Sequence, residues 1–98
     1  AANGDRIMVL AVPNENRFPK VLQIVRSKQL NSICNCYATW VRGRKSSEEV
    51  EIYFRFKNNI SYATATKSCN EAFKHLCQEL NVEISDATFD VATDEDLD

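Results

Sequence analysis

Residues 66–80 place Cys69, Ala72, Phe73, Leu76, Cys77 and Leu80 at the i, i+3, i+4, i+7, i+8 and i+11 positions of one helical face. Lys67, Asn70, Glu71, Lys74, Gln78 and Glu79 fill the rest of the wheel, so this helix is apolar on one side and solvated on the other. Most of the stability of such a helix comes from covering its apolar stripe, and a sheet is the cover that the other elements of this chain can supply. The spacing locates a core and carries no chemistry of its own.

Ninety-eight residues suffice for one domain with an ordinary core and leave no room for a second. The expected division is an α+β body over residues 1–92 and a disordered acidic tail over residues 93–98. Two Gly and two Pro allow few tight turns, so regular elements must occupy most of the chain. No apolar run approaches the roughly 20 residues that cross a bilayer, so no membrane partner is expected. The net charge of −2 conceals a division. Residues 1–81 hold all 12 Lys and Arg against 7 acids, a surplus of +5, whereas residues 82–98 hold 7 acids and no base. A basic body can meet a polyanion that an acidic end would screen, but a surplus this small is also that of an ordinary solvated surface.

In chain order, residues 6–12 are apolar on both parities through Ile7, Met8, Val9, Leu10, Ala11 and Val12, which predicts a strand covered on both faces or set at a dimer contact. Pro19 suits a first helical turn, and Phe18, Val21, Leu22, Ile24 and Val25 form the stripe of a helix over 18–30. Residues 33–42 alternate, with Cys34, Cys36, Ala38 and Trp40 on one side, and predict a half-buried strand. After a polar loop, Val50, Ile52, Phe54 and Phe56 alternate with Glu49, Glu51, Tyr53, Arg55 and Lys57 to give a second strand, the two pairing as an antiparallel hairpin. Asn58-Asn59 marks a turn, and Ile60, Tyr62 and Thr64 predict a short third strand leading to a helix capped at Thr66. Asn81 should end that helix, followed over 82–91 by a short strand or an irregular covering segment.

Cys69 and Cys77 belong to the buried stripe, and Cys34 and Cys36 share an apolar strand face, so core packing of reduced thiols accounts for all four most simply. Residues eight apart on a helix lie about 12 Å apart along its axis, which is too far for one tetrahedral ion. No metal or other cofactor is expected, and an intracellular location, cytoplasmic or nuclear, follows from the thiols. A secreted, disulfide-bonded effector or inhibitor is the alternative kept open by the sequon Asn59-Ile60-Ser61 and by a small-residue start, Ala1-Ala2-Asn3-Gly4.

The expected fold class is α+β, an antiparallel sheet with two helices packed on one face, in the order βαββ(β)αβ. A ferredoxin-like sandwich accommodates that order. So does an α, β, β, β, α unit over 18–80 with 6–12 as an added strand, and this second arrangement resembles a double-stranded RNA-binding domain. That family reads duplex RNA partly with a Lys-Lys-x-Ala-Lys stretch opening its last helix. Here the stretch is Thr66, Lys67, Ser68, Cys69 and Asn70, in which only Lys67 keeps its charge, and Tyr62, Ala63, Thr64 and Ala65 replace the Gly-rich approach. The resemblance therefore implies a degenerate member, similar to those that bind proteins or dimerise within RNA-handling machinery.

Catalysis finds little support. His75 is the only histidine and lies beside the stripe, the acidic pairs Glu48-Glu49 and Asp94/Asp96 fall in a loop and a tail, and no glycine-rich phosphate cradle exists. The expected function is a non-catalytic domain for protein–protein association or dimerisation, with Ile7, Val9, Tyr37 and Tyr53 as interface candidates, by pairing at a strand edge or by two-fold contact. The alternative is direct RNA binding by Arg42, Arg44, Lys45, Arg55, Lys57 and Lys67, whose amines would hold phosphates while a ring stacks on a base.

Overall fold

In the computed structural model, which describes residues 5–57 and 60–91, the first strand is the centre of the sheet. Strand β1 (Arg6–Pro13) pairs antiparallel with β3 (Glu49–Phe56) on one side and with β4 (Thr88–Val91) on the other. Strand β2 (Ala38–Arg42) pairs with the far side of β3, giving a four-stranded antiparallel sheet in the order β2-β3-β1-β4. This is the ferredoxin-like ordering. The apolar character of β1 on both parities follows from its inner position, and the pairing edge expected beside residues 6–12 is taken up on both sides.

The register decides which residues face the helices. Met8, Leu10 and Val12 stand opposite Phe54, Ile52 and Val50, with Val41 opposite Ile52 and Phe89 opposite Leu10, and this set joins the core under the helices. The helical layer holds α1 (Phe18–Arg26), the short α2 (Gln29–Cys34) and α3 (Tyr62–Leu80). Val21, Ile24 and Val25 of α1, Leu30 and Cys34 of α2, and Ala65, Cys69, Ala72, Leu76 and Leu80 of α3 bury against the sheet.

Three expected boundaries are displaced. The first helix does not run to residue 30: it ends at Arg26, where Ser27 Oγ donates to the Ile24 carbonyl at 2.6 Å and Lys28 takes a left-handed backbone, φ 64°. A second helix follows, so Cys34 is helical rather than part of a strand over 33–42. Leu30 and Cys34 are four apart, the spacing of one helical face, and this outweighs the local alternation. The last helix begins at Tyr62 rather than near Thr66, because Ser61 Oγ accepts the Thr64 N–H at 3.1 Å and Ala65 extends the Cys69-Ala72 stripe back one turn. The strand expected from Ile60, Tyr62 and Thr64 is therefore absent, with the stripe overriding the β propensity of Tyr62 and Thr64. Asn81 does close α3, its N–H reaching the Cys77 and Gln78 carbonyls from a left-handed backbone. A single 3-10 turn, Ile84–Asp86, then leads into β4. The expected turn at Asn58-Asn59, the start at residues 1–4 and the acidic segment 93–98 lie outside the described residues.

Candidate interaction surfaces

Among the described residues this arrangement leaves open the sheet face turned away from the helices and the two edges, of which the one at β2 borders a groove. On the outer face the register sets Trp40, Tyr53 and Val9 side by side across β2, β3 and β1, with Ala38, Arg55 and Ile7 on one flank and Arg42, Glu51 and Ala11 on the other. Trp40 and Ala38 thus point outward and do not share a side with Cys34. The rings of Trp40 and Tyr53 stack with centroids 5.3 Å apart and planes 11° from parallel. The Arg42 guanidinium lies 5.5 Å from the Tyr53 centroid and that of Arg55 lies 5.0 Å from Trp40. Tyr53 is outward as the alternation requires, but this cover leaves it only 1% exposed. Ile7 is likewise buried on this face, Val9 is half-buried, and neither Ile7 nor Tyr53 belongs to the inner core.

At the edge, residues 37–41 form one wall of a groove of about 500 Å³. Leu22, Val25 and Arg26 of α1, one turn apart on a single helical side, form the opposite wall, and Lys28 and Asn31 close it below. The Thr39 hydroxyl donates to Asn31 Oδ1 at 2.9 Å, tying α2 to the strand and fixing the width of the cleft. Among the described residues β2 has β3 as its only strand neighbour, so alternate N–H and C=O groups of β2 point toward this groove. Tyr37, 47% exposed, stands at its mouth and donates to Asp5 at 2.6 Å; that hydrogen bond is the main cause of a phenol pKa raised above its ordinary value.

The loop between β2 and β3 is held by a residue that the sequence gives no reason to single out. Asn14 is 2% exposed, and its amide donates to the carbonyls of Arg44 at 2.9 Å, Lys45 at 3.1 Å and Ser47 at 2.8 Å. Its Oδ1 accepts the Phe18 N–H at the start of α1, at 3.1 Å. Gly43 enters this loop with φ 138°, where a Cβ would strain the backbone and sit 3.4 Å from the Glu49 carbonyl.

The six candidate phosphate-binding residues do not form one cluster. Arg42 and Arg55 share the outer face, Arg44 and Lys45 are exposed in the loop, and Lys57 is exposed just past β3. Lys67 is exposed on α3, in the helical layer, and residues 66–70 lie one turn inside that helix rather than at its opening. Among residues weighed for chemistry, half-buried His75 leaves Nε2 without a hydrogen-bond partner, as Arg55 leaves Nε.

All four cysteines are free and buried. Cys34 Sγ also donates to the Leu30 carbonyl at 3.1 Å. Cys34 interacts with Cys36, which favours its thiolate, but the hydrogen bond with Cys69, burial and the nearby Cys69 charge outweigh this and push its pKa from 9.0 up to about 12. The Cys34 hydrogen bond and burial raise Cys36, and burial raises Cys77. Raised thiols of this kind are poor nucleophiles and poor metal ligands. Among the described residues no group of three or more His, Cys, Asp and Glu is placed to hold a metal ion, and no helix is long and apolar enough to cross a membrane.

Fold and surfaces together define a small open-faced α+β sandwich with an accessible strand edge. No family model, curated protein or solved structure matches the chain.

Proposed function

We propose that this chain is a non-catalytic interaction domain that takes an extended segment of a partner protein as a fifth strand along β2. One observation carries the reading: four consecutive residues of an edge strand, 38–41, with Tyr37 just before them, face a helix across an open groove, so main-chain groups and apolar side chains are presented together. In this reading the partner pairs along β2 rather than at Ile7 and Val9, with Tyr37 at the groove mouth and Tyr53 beside Trp40. The buried thiols favour an intracellular setting for it.

The test is selection of displayed peptides against the purified chain, followed by backbone amide exchange of the complex. Slowed exchange at alternate residues of 38–42 supports strand pairing; unchanged exchange along β2 in a saturated complex rejects it. Direct nucleic-acid binding is the second reading, favoured by the two guanidiniums flanking the Trp40–Tyr53 stack. It requires affinity for single-stranded RNA that falls steeply with salt, whereas strand pairing is much less salt-sensitive.

A further inference from the structure

Resting on the strand-pairing reading, we infer that the segment taken up along β2 is acidic: an extended peptide in which apolar side chains alternate with carboxylates. The groove itself supplies the chemistry. The carboxylate of Asp5 lies outside the lining, bonded to Tyr37 at the mouth, and among the described residues Arg26 and Lys28 are the only charged side chains lining it. Neither has an ion-pair partner among the described residues, in contrast to Arg17, which pairs with Glu15 at 3.0 Å, and Lys74, which pairs with Glu71. Leu22, Val25 and Val41 offer an apolar lining beside these two cations, which suits alternate residues of an added strand.

The backbone at Lys28 adds a second argument. Its φ of 64° is a left-handed conformation that disfavours a residue with a Cβ and costs glycine almost nothing. A lysine held there contributes a cation at the groove floor that the cheaper residue would not. Arg26 reaches the same cleft from the last turn of α1, where a cation also complements the helix dipole.

The experiment titrates the full chain, followed by emission of its single tryptophan, Trp40, which lies in the groove wall. Three peptides of about eight residues, a usual strand length or slightly more, are compared: alternating Val and Glu, alternating Val and Lys, and the Glu peptide N-methylated at every second residue. The Glu peptide should bind saturably, the Lys peptide at least tenfold more weakly, and the N-methylated peptide not at all. Lys28→Gly and Arg26→Gln should each weaken the Glu peptide about threefold, as solvent-exposed ion pairs do. Lys28→Gly should fold at least as stably as the parent, so lost binding cannot be ascribed to lost structure. Equal affinity for Glu and Lys peptides overturns the acidic preference and leaves strand pairing standing. Equal affinity for the N-methylated and parent Glu peptides overturns strand pairing itself, and binding of none overturns both. A dimer formed without peptide and abolished by Thr39→Pro would assign the groove to a second copy and overturn the proposal.

Discussion

β2 and β4 both finish the sheet with a short strand, yet they are finished in opposite ways. Beside β2 stands a groove walled by α1, with Arg26 in that wall and Lys28 just past it. Beside β4 the approach is acidic, through Glu83 and Asp86, and Asp90 lies in the strand itself. β4 is pinned from within by Phe89, whose ring meets Phe54 edge-on at 6.3 Å and Phe73 at 6.2 Å. An exposed edge pairs with any extended chain unless something discriminates. Charge differs between the two ends, with Arg26 and Lys28 at the β2 groove and Glu83, Asp86 and Asp90 by β4, and this is the difference that the proposed acidic segment would read.

The largest effect on this contrast should come from Asn14→Ala. The buried amide holds three part-buried loop carbonyls, its two protons shared among them, and losing all of these bonds together should cost about 3 kcal/mol. Denaturant unfolding would give the magnitude, and amide exchange should rise first near residues 42–48 and not in β4. Phe89→Ala should cost about 2 kcal/mol, less than for a fully buried phenylalanine because Phe89 is only half-buried. It should free β4 while leaving peptide affinity at β2 unchanged; a matching fall in affinity would show that the two edges are not independent.

The mildest perturbation is alkaline pH, which acts on the β2 side through Cys34 and Cys36. Both thiols are raised in the folded state, so their contribution is complete below the unfolded value of 9.0. Above it the unfolded chain gives up protons that the native chain retains, and stability falls as pH rises toward the folded Cys34 value of about 12. Urea midpoints measured from pH 8 upward should be flat and then decline. Cys34→Ala should blunt the decline, whereas an unchanged slope would show that the thiols do not carry it.

Much of the inner architecture was legible in the residues. The α3 stripe, the alternation of β3 and the double-sided apolarity of β1 are each properties of one segment, and Asn81 capped where a C-cap residue should. What escaped were features made by pairs of segments. Lys28 breaks the first helix because Leu30 and Cys34 must reach the core from a redirected axis. Trp40 turns outward because β2 pairs with β3 through Tyr53, not Phe54. Asn14 looked like part of a polar connection, and only the arrival of residues 44–47, thirty positions later, gives its amide something to hold. The groove is of the same kind: Leu22 reads as an ordinary stripe residue until β2 is laid opposite it.

The central place of β1 governs how the chain can reach its native state. It is made before the strands it pairs with, which arrive only with residues 49–56 and 88–91. For that interval a run of apolar residues has two unpaired sides and little helix to cover it, the situation in which nascent chains stick to one another or occupy a chaperone. Closure depends on contacts far apart in sequence, which makes folding slow relative to a helical protein of this size. A shortened chain lacking residues 88–91 would carry that open side permanently, and its failure would be aggregation rather than loss of binding alone.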